Sequence, residues 1–218
     1  VAGIKPQGKV KMEWSPEFAY ALGLLASDGS LSKDGRHIDL TSKNRDQLET
    51  FLSCLHLNNV IGVKASGKNK ISYRVQFGDV LFYNFLLSTG FMPAKSKILG
   101  ELKIPKRYFF DFLRGSFDGD GTFYSYHDPR WKSSFMFYTV FVTASPAHLK
   151  WLRESISYRL GIRGHITHDK RRTTYQLKYA KSESIKLLEK LYESKSAPHL
   201  KRKYLKVQNA LRIVGASI

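Results

Sequence analysis

The chain has 218 residues, 42% of them hydrophobic and 13% aromatic, which suffices for one large domain or two small ones sharing a core and excludes a disordered tail. Lys and Arg number 36 against 18 Asp and Glu, and the formal charge of +18 points to a polyanionic partner, nucleic acid first. No apolar run approaches the roughly 20 residues of a membrane span and no signal peptide is visible, while the lone Cys54, inside FLSCLHL, excludes an internal disulfide. An intracellular protein is expected, in a prokaryotic cytoplasm or an organelle matrix.

In chain order, Ser15-Pro16 opens the first helix with a hydroxyl cap and a proline where no amide hydrogen is needed. That helix runs through ALGLLASDG to Asp28, where Gly29 is expected as a left-handed terminator. A short hairpin through SKDG leads to a strand ending in Thr41, then a polar cap and an amphipathic helix over DQLETFL. Alternation predicts that Leu31, Ile38, Leu40, Ile71, Tyr73, Val75 and Phe77 face the core. PAKSKIL follows from Pro93.

The series then starts again. FLRGSFDGDGTF ends a second helix at Asp120-Gly121, and a longer hairpin through HDPRWKSS leads to a strand ending in Thr143. AHLKWL is again amphipathic, HDKRRTTY turns a hairpin, YQLKY at 175–179 echoes YRVQF at 73–77, and PHLKRKYL from Pro198 echoes PAKSKIL. Four matches in one order mark an internal repeat, with halves at 1–101 and 102–218.

Each half therefore ends a helix in Asp-Gly. A carboxylate there opposes the helix dipole, at about 0.3–1 kcal/mol each. Gly23 and Ser27 give the first helix a face of small residues, and Gly115 and Gly119 do so for the second. Helices packed on those faces would bring Asp28 and Asp120 together and add repulsion. A hard divalent cation, which takes carboxylate, carbonyl and water oxygens, resolves both problems. Asp-Gly is also a common turn dipeptide, but two copies in matching contexts on a strongly basic chain favour a functional pair. The 7 histidines and the single cysteine show no zinc-ligand spacing.

Residues 21–29, ALGLLASDG, and 113–121, LRGSFDGDG, resemble the nine-residue motif of the LAGLIDADG homing endonucleases, monomeric two-motif type, over about Ser15 to Leu211. The motif's eighth position, the metal-binding acid, is Asp28 and Asp120; its sixth is Ala26 and Asp118, a departure at a position less important to the chemistry. The resemblance implies an α+β fold of two pseudo-symmetric αββαββα half-domains, the motif helices at the central interface and antiparallel sheets forming a DNA-binding saddle. It implies a site-specific endonuclease that hydrolyses one phosphodiester per strand across the minor groove and leaves 3′ overhangs. Mg²⁺ is the expected cofactor, with Mn²⁺ or Ca²⁺ able to substitute in binding. Metal would be held by Asp28 and Asp120 with the Ser27 and Gly119 carbonyls. A lysine at each cut site comes from Lys95 or Lys97 and from Lys201 or Lys203, with Lys97 and Lys203 favoured. Ser42 is the candidate to position water, and Ala144, its counterpart, is unable to.

Strand alternation assigns Ser30, Ser32, His37, Asp39, Lys64, Lys70, Ser72, Arg74 and Gln76 to the DNA face of the first half, with Arg36 in the adjoining turn. The second half contributes Tyr124, Tyr126, Arg163, His165, Thr167, Arg172, Thr174, Gln176 and Lys178, with Lys170 near phosphates. The expected partner is double-stranded DNA with a long, near-palindromic or asymmetric site, met by a monomer. The rival is a non-cutting protein of the same fold, an intron RNA maturase or a transcription regulator; retention of both acids favours the nuclease. No splicing block is seen at either end, so an intron-encoded or freestanding protein is expected.

Overall fold

The computed structural model describes residues 8–66 and 70–218, without the side chains of Ser66, Lys70, Lys132 and Ser133. Helix α1 (Pro16–Asp28) starts where Ser15 accepts a hydrogen bond from the Phe18 amide at 3.1 Å. Strands β1 (Gly29–Leu31) and β2 (His37–Ser42), helix α2 (Arg45–Cys54), strands β3 (Gly62–Ser66) and β4 (Lys70–Gly78) and helix α3 (Val80–Thr89) complete the first half. The second repeats the order: α4 (Phe109–Asp120), β5 (Thr122–Asp128), β6 (Trp131–Thr143), α5 (Pro146–Leu160), β7 (His165–Asp169), β8 (Thr174–Tyr179) and α6 (Lys181–Leu191). A last helix, α7 (Lys201–Ile213), follows. The long second hairpin is seen: β5 and β6 span 7 and 13 residues, against 3 and 6 for β1 and β2.

Each half folds its strands into one antiparallel four-stranded sheet, ordered β1-β2-β4-β3 and β5-β6-β8-β7. The two sheets thus have the same topology, and YRVQF and YQLKY occupy the same place in each, on β4 and β8. One face of each sheet is packed under helices: Phe77 meets Phe51 and Phe82 in the first half, and in the second Phe117 meets Phe141 while Phe137 meets Phe123, all fully or almost fully buried. The other face is open.

Alternation holds for Leu31, Ile38, Leu40, Val75 and Phe77, all buried, and Tyr73 is partly buried against the core. Ile71 departs from expectation. It is 60% exposed, and its partner Ala65 on β3 is exposed too, so this part of the hairpin is not covered by the described residues.

α1 and α4 pack at van der Waals contact of their backbones. A Cβ on Gly23 would lie 2.1 Å from the Phe112 carbonyl oxygen, and one on Gly115 would lie 2.0 Å from that of Tyr20. No side chain fits there, so the small faces read from the sequence are a steric requirement. The terminating glycines act differently from expectation. Gly29 and Gly121 have φ of −85° and −69° with extended ψ, not the left-handed conformation, because the chain passes straight from helix into strand. What excludes a side chain is space: a Cβ would stand 2.7 Å from the Leu25 backbone or 2.4 Å from the Phe117 oxygen.

Candidate active site

The close approach of α1 and α4 brings their acidic ends together. The Asp28 carboxylate lies against Gly119, one residue before Asp120, with Oδ2 3.1 Å from where a Gly119 Cβ would be. Burial, and then the charge of Asp120, push the Asp28 carboxyl up to about 6, against hydrogen bonding from Gln47 and the nearby charges of Lys203 and Lys95. Asp120 is likewise raised by burial, with Lys95 and Lys203 opposing. Both acids are thus more basic than a solvated carboxylate.

Two buried lysines occupy the same place at the two helix ends. Lys95 Nζ donates to the carbonyls of Ala26 at 2.7 Å and Ser27 at 3.2 Å. Lys203 Nζ donates to the carbonyls of Asp118 at 2.8 Å, Gly119 at 3.4 Å and Gly121 at 2.6 Å, and also reaches Phe117. A cation on the unpaired carbonyls of a helix end is favoured both by hydrogen bonding and by the dipole. Part of the conflict that the sequence left to a metal ion is thus answered by the chain itself. Burial holds both lysines down to about 8, despite the neighbouring acids.

The structure places Lys203 at the end of α4, whereas Lys97 lies away from the end of α1. The short 3-10 turn Lys95–Lys97, entered through Ala94 at φ 56°, aims Lys95 back under α1 and leaves Lys97 exposed. Lys95 is 5% exposed. The equivalent of Lys203 is therefore Lys95. The repeat carries an insertion, so the third residue from Pro93 matches the sixth from Pro198.

Sequence reasoning missed Gln47. Its Nε2 donates to Asp28 Oδ2 at 2.7 Å, and its Oε1 accepts from the Ser42 hydroxyl at 2.9 Å. Ser42 thus orients Gln47 as well as accepting from the Asn44 amide. A signal existed: Gln47 and His148 are each the third residue of the helix that follows β2 or β6. His148 is turned elsewhere, its Nδ1 2.8 Å from the Gly100 oxygen, and burial pushes it down to about 4, which keeps it neutral. No side-chain hydrogen bond to Asp120 is present among the described residues. The other motif acid, Asp118, is structural: it accepts from the Tyr20 hydroxyl at 2.8 Å and from the Leu200 amide at 2.7 Å, tying α4 to α1 and to the segment that carries Lys203.

The donors fit a hard divalent cation. Among the described residues no three His, Cys, Asp or Glu cluster as a metal cage, so two carboxylates must act with carbonyls, water and phosphate oxygens, which is how Mg²⁺ is commonly held. The Ser27 and Gly119 carbonyls each take one long lysine contact and keep a second lone pair.

Most residues assigned to the DNA face lie on the open faces. In the first sheet Ser30 pairs with Asp39, Asp39 with Gln76, and Lys64 with Ser72, all on one side, with Arg74 bonded to Asp39 at 3.2 Å. His37 shares this face and is held by Asp34 in the turn where Arg36 is exposed; Ser32 adjoins β1. The side chain of Lys70 lies outside the described residues. In the second sheet His165 pairs with Lys178, and Thr167 with Gln176. Tyr124, Thr174, Gln176 and Arg172 line one groove with Asp120. Tyr126 is exposed on the same strand face, and Lys170 sits in the exposed turn after β7. Arg163 is the exception. Gly164, at φ 58°, breaks the alternation before β7, and Arg163 lines a cavity with Lys150, Arg153 and Tyr158 of α5 on the helix-covered side.

Comparison with known proteins agrees with this arrangement. Residues 109–192 match the family model of the LAGLIDADG-like domain. Full-length DUF199/WhiA from Thermatoga maritima superposes with a TM-score of 0.59 at 17% identity, over 94% of this chain and 62% of that one. The chain carries the LAGLIDADG fold. I-DmoI in complex with DNA and Ca is similar with a TM-score of 0.58 at 16% identity, over 88% of this chain and 97% of that one. I-WcaI bound to its DNA recognition sequence gives 0.59 and 16%, over 87% and 89%. The chain thus spans 97% of the length of I-DmoI and 89% of that of I-WcaI but only 62% of WhiA. No curated protein matches it in sequence. The family model covers the second copy of the LAGLIDADG unit; the first is tied to it by the shared strand order and the matching lysine at its helix end.

Proposed function

We propose that the protein is a site-specific double-strand DNA endonuclease that uses Mg²⁺, acts as a monomer and leaves 3′ overhangs, its halves 1–101 and 102–218 each meeting one half of a long target. The observation that carries this is the pair of carboxylates at two packed helix ends, each beside a buried lysine, on a chain of charge +18. In support, I-DmoI and I-WcaI, which share the fold, are described on DNA, and I-DmoI with Ca.

Asp28 and Asp120, with the Ser27 and Gly119 carbonyls, would hold the ion. When bound, it supplies polarisation of the scissile phosphate and a lowered pKa for attacking water. Gln47, held by Ser42, keeps the Asp28 carboxylate oriented and leaves it one free oxygen. Lys95 and Lys203 offset the charge that builds on the phosphate. The basic open faces bind the backbone. A full-length WhiA also shares the fold, so cutting must be shown by chemistry. The test is incubation with a randomised or native-locus DNA library in Mg²⁺ and in EDTA. Products that require metal support the nuclease. Retention of DNA with no scission in Mg²⁺ favours the non-cutting reading.

A further inference from the structure

The two open faces differ in chemistry. That of the first sheet is polar throughout its described side chains: Ser30, His37, Asp39, Lys64, Arg74 and Gln76 are representative. The second sheet carries an apolar stripe down β5 and β6. Thr122 pairs with Val140, Tyr124 with Tyr138, and Tyr126 with Met136, so Val142, Val140, Tyr138 and Met136 follow one another outward from Asp120. Val140 is only 2% exposed yet stands outside the main hydrophobic core, on the side away from the helices. It and Val142 line a groove of about 460 Å³ with Tyr124, which Arg172 and Gln176 border and Asp120 closes. Farther out, Tyr138 is stacked on Tyr124 at 5.2 Å and 20°, and on Tyr126 at 6.5 Å and 8°. The stack holds the rings in place before any partner arrives, so little ordering is lost on binding.

Such a surface recognises one feature of duplex DNA. Of the groups presented in the major groove, only the thymine C5-methyl is apolar; guanine, cytosine and adenine offer donors and acceptors. Pressing an apolar side chain onto those polar edges strips their water without replacing the hydrogen bonds, whereas a methyl gains from the contact. We infer that the half-site under the second sheet is selected by apolar contact with thymine methyls, and the half-site under the first sheet by hydrogen bonds to base edges. This rests on the proposed function and names its substrate more closely: an asymmetric target, one half rich in A·T pairs.

The experiment uses the Asp28→Asn, Asp120→Asn protein, so that no strand is cut, to select bound duplexes from a randomised library. A parallel selection with Arg74→Ala added marks the half read by the first sheet, whose preferences shift. Thymines in each half are then replaced by uracil, which removes only the methyl group. The expected result is a loss in affinity of roughly fourfold per contacted methyl in the second-sheet half, with little change in the first. Adding Tyr126→Phe should leave the preference intact, since the ring and not the hydroxyl makes the contact, while Tyr126→Ser should relax it. Equal responses in the two halves, no response to uracil, or loss of the preference with Tyr126→Phe would overturn the inference. Recovery of no duplex at all would instead overturn the reading of the protein as a DNA-binding enzyme.

Discussion

The ends of α1 and α4 share a skeleton and differ in what surrounds it. At both, a buried lysine from a distant segment sits on the last carbonyls, at 2.7 Å from Ala26 in one and 2.8 Å from Asp118 in the other. At the first, Asp28 is held by Gln47 and, through it, by Ser42. At the second, Asp120 opens onto a groove with Arg172 and Thr174, and the residue in the place of Gln47, His148, faces the Gly100 carbonyl. Acid and lysine recur at both ends; the third partner is where the two copies differ. On the proposed function, two centres with unequal wiring need not cut their strands at equal rates.

The largest effect tests what the halves share. Asp28→Asn or Asp120→Asn should each lower double-strand scission by at least about a thousandfold, while a gel-shift assay finds duplex binding retained. Full double-strand cutting by either variant would remove the acids from the mechanism.

Next come the lysines. Lys95→Met or Lys203→Met should cost on the order of a hundredfold in cleavage rate, whereas Lys97→Met, which alters an exposed side chain, should leave the rate within about twofold. Because Lys95 and Lys203 both oppose the upward shift of the acids, removing either should also move the onset of cutting to higher pH. Without metal the Asp28 carboxyl is raised to about 6, and a bound cation would bring it down. If Lys97 and not Lys95 proved sensitive, the equivalence of Lys95 and Lys203 would be lost.

Gln47→Ala sharpens the difference between the ends. Nicking assays with each strand labelled should show a roughly tenfold slowing confined to one strand, since among the described residues Asp120 has no such partner. An equal slowing of both strands would mean that Gln47 acts through the fold as a whole.

The smallest effect is on stability. The Asp28 carboxyl titrates near 6 when folded, against an ordinary value of 3.8, so folding favours its protonated form. The stabilisation from that proton is complete below pH 3.8 and lost as pH rises through about 6. Metal-free Asp28→Asn should therefore melt a few °C above the parent at pH 8, and the gap should close as pH falls below 5. Saturating Mg²⁺ should reverse the order at pH 8, by stabilising the parent alone. Melting curves at three pH values, with and without metal, measure this.

Much of this was legible in the chain itself. Two Asp-Gly helix ends, small residues four apart and strands in matching order gave the repeat, the fold and the acids, because they depend on local periodicity and on where a side chain has no room. Alternation named most of the open faces, and among the described residues it failed where its premise failed: at Arg163, beyond the kink at Gly164, and at Ile71, on the exposed part of the β3–β4 hairpin. The tertiary structure alone decided which lysine serves the first helix end, since Lys95 and Lys97 are chemically identical and only the turn at Ala94 separates a 5% exposed side chain from an exposed one. It likewise decided that Gln47, 19 residues from Asp28, holds that acid. Hydrogen bonds across such separations depend on the angle at which elements meet, and that angle is a property of the packed whole.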